Sequence, residues 1–377
     1  MGLEKKKQRD TTIDILKGLG IIFMVTGHSG SPFTSFIYLF HMAIFFIASG
    51  YCYSTRKSEN LKSVYRNCIG KIRSLWLPYV AWMAVFSLLH NFFIKINVYT
   101  DDERLLTYSS GEFVSTIDKW TNNDVLRNIK NAVILRGESQ IGGALWFIAV
   151  LFEISIAYCV IDYLIKKMFL GNGVLVVQGI VSIMLLLLGY YCHLTGMTIA
   201  GLSKMCSYYC LYYIGYVIKN IKLYSKERKK SVHVLTFGIC FIILVVASKF
   251  GSIALATNNY VNPLFLLVVS LAGWQWIYEL SRMIKQINSI TGWMVCFGQN
   301  TLMVVILHFL CFKIVNYAGA LIKDWPLCCV AAFPILCKGG VWWIIYTIIG
   351  VLIPIGLSLA WKQVKKWNIQ MFGEKKS

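Results

Sequence analysis

Residues 20–51, GIIFMVTGHSGSPFTSFIYLFHMAIFFIASGY, contain two apolar runs joined by the short turn SPFTS at 31–35. Two antiparallel helices joined by so few residues must be neighbours. His28 closes the first run, and His41 lies in the second. Because a polar ring is costly to keep near the bilayer core, an intramembrane histidine is by default a functional candidate. The stretch therefore predicts a helical hairpin that brings two imidazoles close together.

The whole chain has the composition of a polytopic membrane protein. Of its 377 residues, 57% are hydrophobic and 14% are charged, and the mean hydropathy is +0.61. Soluble domains average roughly 25% charged residues, whereas a membrane-spanning helix needs about 17 to 25 mostly apolar residues. We predict an all-α integral membrane protein with ten transmembrane helices, at about 12–30, 36–53, 75–93, 143–164, 172–190, 205–221, 233–250, 262–280, 292–312 and 341–361.

Two connections between these helices are long. The segment 313–340 is partly apolar but is broken by Lys323, Asp324 and prolines, so we predict a membrane-surface loop and no eleventh span. The segment 94–142 should lie outside, either as an ordered cap over an outer cavity or as a solvated linker. We expect a single membrane domain over 1–377, without a soluble appendage.

The distribution of lysine and arginine predicts the orientation. Cytoplasmic loops carry the excess of these residues. With both termini cytoplasmic, about 25 of the 37 basic residues fall on the inner side. The inner set includes Lys5, Lys6, Lys7, Lys226, Arg228, Lys375 and Lys376. The net charge of +20 is therefore assigned to contacts with membrane lipids, and no nucleic-acid partner is expected.

The 12 cysteines do not indicate a metal centre. Most lie inside apolar runs, where cysteine behaves as a small hydrophobic residue. The sequence has no CxxC pair and no Cys/His array with zinc spacing. We expect no bound metal.

The first predicted helix carries a cation and an imidazole on one face. Lys17 and His28 are separated by about three helical turns, or roughly 16 Å. Asp14 precedes Lys17 by three residues and can pair with it. The face thus has a charged site near the cytoplasmic surface and a histidine towards the far side.

Several stretches resemble the membrane-bound acyltransferase 3 family, most closely its fucose 4-O-acetylase-like branch. They occur in the expected order and are spread over most of the chain: RDTTIDILKGLGIIFMVTGH (9–28), FHMAIFFIASGY (40–51), KIRSLWLPYVAW (71–82), GGALWFIAVLF (142–152) and GQNTLMVVILHF (298–309). Members of this family use a cytoplasmic acyl-CoA, usually acetyl-CoA, to O-acylate glycans of the cell envelope. The resemblance thus implies acetyl-CoA as acyl donor, a carbohydrate acceptor and a place in the bacterial plasma membrane.

The resemblance also implies roles for individual residues. It marks His28 as the catalytic group, with His41 beside it, and Lys17 with a basic cluster as the donor site. Ala43 stands where many members have proline, and the RxxR pattern is absent, so we leave open whether Arg66, Lys71 or Arg73 holds the donor. The later motifs supply four candidates for substrate binding: Trp146, Glu153, Asn300 and His308.

These observations predict an integral membrane O-acetyltransferase. Histidine can take the proton of a sugar hydroxyl or carry the acyl group, and cations in the inner loops can hold the phosphates of the donor. The alternative is a transporter or flippase for a polysaccharide or lipid-linked sugar, because the same buried polar residues could line a permeation path. The sequence leaves open which acceptor and acyl group are used, whether an acyl-histidine forms, and whether the chain forms homo-oligomers.

Overall fold

A computed structural model describes residues 9–108, 115–197, 202–224 and 229–373 of the chain. The basic residues Lys5, Lys6, Lys7, Lys226, Arg228, Lys375 and Lys376 lie outside the described residues. In chain order the helices are α1 (Thr11–His28), α2 (Thr34–Tyr38), α3 (Ala43–Tyr51), α4 (Leu61–Lys71), α5 (Leu77–Leu88), α6 (His90–Lys95), α7 (Arg104–Tyr108), α8 (Asn122–Val133), α9 (Trp146–Met168), α10 (Asn172–Thr195), α11 (Leu202–Asn220), α12 (Lys230–Phe250), α13 (Pro263–Lys285), α14 (Asn288–Gln299), α15 (Thr301–Ile322) and α16 (Trp342–Gly373). Two short antiparallel strands, β1 (Ile253–Ala254) and β2 (Asn259–Tyr260), pair Ile253 with Tyr260 and Ala254 with Asn259.

Seven helical stretches of the described chain are long and apolar enough to cross a membrane. They are Thr34–Tyr51, Gly143–Met168, Asn172–Thr195, Lys230–Phe250, Pro263–Lys285, Thr301–Ile322 and Trp342–Trp367. The predicted helical, membrane-type architecture is confirmed. The spans predicted at 12–30, 75–93 and 205–221 are helical over most of their length but are not long enough or not apolar enough to be counted with the seven, so the count of ten and the cytoplasmic termini remain predictions.

Local structure fixes both the start and the end of α1, the first helix of the hairpin. The carboxylate of Asp10 accepts a hydrogen bond from the backbone N–H of Thr12 at 3.0 Å and caps the start of the helix. The helix ends at His28, and the chain turns at Gly30, whose φ of 76° is favoured by glycine. The chain then returns through α2 and α3, as the short SPFTS turn predicts.

Glycine allows α3 and α11 to pack very closely. A Cβ atom placed on Gly50 would collide with the carbonyl group of Tyr212, and one placed on Gly215 would collide with that of Ile47. Small residues at such a crossing let two helix backbones approach, which is the usual way to gain packing energy within a membrane. At this crossing α3, whose residues are mostly buried, packs against α11.

Gly215→Ala is therefore expected to destabilise the protein by about 1 to 3 kcal/mol, because overpacking forces the two backbones apart. The measurement is the midpoint of thermal unfolding in detergent. Gly238→Ala is the matched control, since a Cβ atom on Gly238 of α12 would meet no atom within 4 Å. Equal midpoints for the two variants would contradict the close α3–α11 contact.

The predicted span 292–312 is not one continuous helix. It is interrupted at Asn300, between α14 and α15. The side-chain amide of Asn300 donates to the carbonyl oxygen of Cys296 at 2.7 Å, and asparagine competes in this way with the helical hydrogen-bond ladder. Ser358 and Lys362 of α16 donate to its side-chain oxygen at 2.7 and 2.6 Å.

The loop predicted from residue 313 begins later, because α15 continues to Ile322. Lys313 is buried in this helix, and its ammonium donates to three backbone carbonyls, those of Val330, Ala331 and Ala332, at 2.8 to 3.3 Å. A buried cation needs such partners. The Lys313 ammonium thus fixes the 3₁₀ turn Leu327–Ala331 against α15. Within the described part of 313–340 no further helix is long enough to span a membrane.

The segment 94–142 is folded where the structure describes it. Its helix α8 packs against α5 and starts with a capping box, in which Thr121 and Asp124 exchange hydrogen bonds. The side chain of Asn128 donates to Ser87 of α5 at 2.9 Å and to the carbonyl oxygen of Glu138 at 2.8 Å. The residues that follow α8 lead directly to the start of α9.

Candidate functional site

Three histidines from separate elements meet at the end of α1. The ring centroid of His28 lies 6.3 Å from that of His41, in the turn before α3, and 5.5 Å from that of His308 in α15. Phe309 packs on His28 at 5.0 Å. The hairpin thus brings two imidazoles together as predicted from its short turn, and α15 adds the third.

Hydrogen bonds fix the tautomers of two of these rings. Nδ1 of His41 lies 3.0 Å from the carbonyl oxygen of Ile37, and Nδ1 of His308 lies 2.9 Å from that of Val304. A carbonyl oxygen only accepts, so both Nδ1 atoms carry the proton and Nε2 is the basic atom in the neutral ring. Nε2 of His308 is buried and has no hydrogen-bond partner.

His28 has a different partner from the other two rings. Its Nδ1 lies 3.1 Å from the hydroxyl group of Tyr38. A hydroxyl can donate or accept, so this contact allows either tautomer of His28. If Nδ1 donates to Tyr38, Nε2 is left as a base.

His28, His41 and Tyr38 line one cavity of about 470 Å³, which we call the histidine cavity. Its other walls include Trp146 at the start of α9, and Thr257 between β1 and β2. Phe333 and Pro334, which follow the turn held by Lys313, close another side. His308 packs behind His28 and does not line this cavity.

Glu153 lines a second cavity of about 340 Å³, which we call the Glu153 cavity. Trp146 and Thr257 are walls of both cavities, so the two adjoin. Leu135, just after α8, and Lys204 of α11 also line the Glu153 cavity. The structure therefore places Trp146 between the histidines and Glu153.

A basic cavity of about 510 Å³ lies near the first half of α1, because one of its lining residues, Lys71, is close to Lys17 of that helix. Its lining residues are Arg56, Lys57, Ser63, Arg66, Asn67, Gly70, Lys71 and Ser74. The Lys17 ammonium lies 4.0 Å from the sulfur of Cys52, and it is close enough to Lys71 for electrostatic repulsion. Burial, and then the neighbouring Lys57 ammonium, lower the pKa of Lys71 to about 8.

A buried carboxylate anchors one of the segments that line the basic cavity. Asp162 of α9 is fully buried, accepts from Ser58 and Tyr53, and pairs with the Lys166 ammonium at 2.7 Å. Ser58 ends the 3₁₀ segment Thr55–Ser58, which carries Arg56 and Lys57. Asp162 thus ties the segment that bears these two cations to α9.

Lys17 and His308 lie beside the basic cavity and the histidine cavity without lining them, and two other predicted site residues, Arg73 and Asn300, lie elsewhere. Arg73 is exposed and does not line the basic cavity, because residues two positions apart on a helical stretch face different directions and Lys71 faces the cavity. Asn300 does not line the histidine cavity. Its side chain is occupied at the helix break by Cys296, Ser358 and Lys362.

Sequence reasoning missed several residues that line these cavities. In the sequence, Arg56 and Lys57 are basic residues of a predicted inner loop with no further distinguishing feature, and Lys204 matches no motif. Tyr38 carried no motif signal. One signal was available for the basic cavity: positions 63, 66, 67, 70, 71 and 74 recur at helical spacing and form one polar stripe.

Comparison with known proteins assigns the chain to a family. No curated protein and no solved structure matches it. A family model described as an acyltransferase domain, that of the acyltransferase 3 family, matches residues 10–360. This range contains all three cavities and the seven apolar helical stretches almost completely. The chain therefore belongs to the acyltransferase 3 family, and with its apolar helices it is a multi-pass membrane acyltransferase.

Proposed function

We propose that the protein is an O-acyltransferase that transfers an acyl group, in the simplest case acetyl, from cytoplasmic acyl-CoA to a hydroxyl of an envelope carbohydrate. The basic cavity would hold the phosphates of the donor, and the histidine cavity would hold the acceptor hydroxyl. The observation that carries this proposal is the placement of the two cavities towards opposite ends of α1, where Lys17 and His28 are separated by about 16 Å. An extended CoA arm suits this separation.

The basic cavity fits a polyphosphate ligand. It combines two lysines and two arginines with hydroxyl and amide groups. Arginine binds phosphate through two parallel hydrogen bonds, and lysine supplies a point charge. Such a set of side chains is costly to gather without an anion, because the like charges repel one another.

The histidine cavity fits an acyl transfer to a hydroxyl. His28 would take the hydroxyl proton while the hydroxyl oxygen attacks the thioester carbonyl carbon. The new C–O bond forms, the C–S bond breaks, and the proton passes from His28 to the thiolate that leaves. The same ring could instead carry the acyl group between donor and acceptor.

The proposal is tested by incubating purified protein in lipid nanodiscs with labelled acetyl-CoA and with carbohydrate extracted from the envelope of the source cells. We expect release of the CoA thiol together with label in the carbohydrate. A polysaccharide transporter or flippase would leave the thioester intact. Failure of the protein to release CoA or label the carbohydrate would contradict the proposed function.

The lowered pKa of Lys71, about 8, predicts a pH dependence of donor binding. Below pH 8 the amine is charged and can pair with phosphate, and as the pH rises through 8 it loses its proton and this attraction. Acyl-CoA affinity should therefore fall by about 10-fold between pH 7 and pH 9.5. Isothermal titration across this range measures it. Lys71→Arg, which stays charged, should flatten the profile, and an unchanged profile in this variant would exclude Lys71 as the titrating group.

A further inference from the structure

The Glu153 cavity is lined by an acidic and a basic side chain, Glu153 and Lys204, which are close enough to interact electrostatically but form no salt bridge with each other. Oε2 of Glu153 is buried and has no hydrogen-bond partner. The Lys204 ammonium lies 5.5 Å from the ring centroid of Trp146. Neither residue takes part in any ion pair found among the described residues. A carboxylate and an ammonium thus line the same cavity with capacity for a ligand.

This pair of charges selects the chemistry of the ligand. A sugar hydroxyl both donates and accepts, so it can donate to Glu153 and accept from Lys204. An anionic group would be repelled by the carboxylate of Glu153, and a cationic group would be repelled by the ammonium of Lys204. Among carbohydrate units, the cavity therefore favours a neutral polyhydroxyl ring over one that carries a single charge. His193 and Asn258 add further polar groups to its wall.

The position of Trp146 connects this ligand to the acyl-transfer site. Its indole ring lies between the histidine cavity and the Glu153 cavity and is a wall of both. Aromatic faces pack well against the apolar faces of sugar rings. A chain of two sugars can therefore pass over Trp146, with one unit beside His28 and the next beside Glu153.

We propose that the Glu153 cavity is a second acceptor subsite, which binds the neutral sugar unit next to the one that is acylated. The acceptor is then an oligosaccharide or polysaccharide of at least two units, and a single sugar is a poor substrate. This inference rests on the proposed function, because it requires that a carbohydrate hydroxyl enters the histidine cavity.

The test uses the full-length protein in lipid nanodiscs, labelled acetyl-CoA, and envelope carbohydrate of the source cells that has been partially hydrolysed and separated by size. The wild type should transfer label to fragments of two or more units with at least about 10-fold higher kcat/KM than to single units, the size of effect expected from one or two added charged hydrogen bonds. Glu153→Gln and Lys204→Gln should lose most of this advantage, because their kcat/KM should fall by about 10-fold for the longer fragments and by clearly less for single units.

Lys130→Gln, on the exposed surface of α8, is the matched control and should keep the advantage. Thermal unfolding midpoints show whether each variant is folded. If Lys204→Gln is unfolded, Lys204→Arg replaces it; this variant keeps the charge and should retain part of the preference. Equal transfer to single units and longer fragments by the wild type would overturn the subsite. So would an equal loss on both fragment classes in the folded variants. A wild type that labels no fragment at all, and releases no CoA, would instead contradict the proposed function.

Discussion

Changing His28 to glutamine is expected to slow acyl transfer by about 10²- to 10⁴-fold, the usual size of general-base assistance. Glutamine can still form a hydrogen bond with Tyr38, but it cannot take a proton near neutral pH. The loss should appear in kcat, because His28 lies at the far end of α1 from the basic cavity and does not line it. The measurement is label transfer by the purified variant beside its affinity for acetyl-CoA.

Tyr38→Phe is the matched control for this experiment. It keeps an aromatic ring next to His28, where the two centroids are 5.8 Å apart, and removes only the hydroxyl group. We expect a smaller loss of about 10-fold, the size of one hydrogen bond that orients the imidazole. Near wild-type transfer by His28→Gln would show that His28 is only a hydrogen-bonded structural residue.

The double variant Arg66→Gln/Lys71→Gln is expected to weaken acyl-CoA binding by about 100-fold or more. Each hydrogen bond between a cationic side chain and a phosphate contributes roughly 1.5 to 3 kcal/mol. These contacts should be equal in the ground and transition states, so turnover at saturating donor should change little. Donor titrations of binding and of rate separate the two effects.

Arg73→Gln is the control, because Arg73 does not line the basic cavity. A second readout comes from Cys52, which is exposed and lies 4.0 Å from the Lys17 ammonium, whereas the other cysteines are buried or half-buried. Acyl-CoA should slow alkylation of Cys52 in the wild type and in Arg73→Gln, but not in the double variant. Unchanged donor affinity with lowered turnover would place Arg66 and Lys71 outside the donor site.

Hydropathy was sufficient to predict the helical membrane fold, because crossing the bilayer requires long apolar helices. It could not locate the break at Asn300. The residues around it are apolar enough to continue a span, and the break depends on contacts with Ser358 and Lys362 some 60 residues later in the chain. The extension of α15 past residue 312 has a similar cause. Lys313 looks like a helix-ending charge in the sequence, but its ammonium is satisfied by carbonyls of a later turn.

The candidate site could be predicted from the sequence where its residues are close to one another along the chain. His28 and His41 meet because the turn between them is short, and Lys17 shares a helix with His28. The structure also brings His308 to His28 and Trp146 beside Glu153. Lys204 could not be found, since its place beside Trp146 depends on how α9 and α11 pack. The helical polar stripe over 63–74 was the signal that could have separated Arg66 and Lys71 from Arg73.

The polar side chains that give α1 its proposed role also make this helix less apolar. It is therefore a weak signal for insertion into the membrane during synthesis. Among the described residues, α1 is absent from the helices apolar enough to span by composition alone, and it carries Asp14, Lys17 and His28. A charged residue near the middle of a spanning helix costs about 2.5 to 3.5 kcal/mol at insertion. The stretch Thr34–Tyr51 that follows is apolar enough by itself. The nascent chain should therefore insert α1 together with α3 as a hairpin, so that the helix carrying His28 enters the bilayer only once the partner synthesised after it is available.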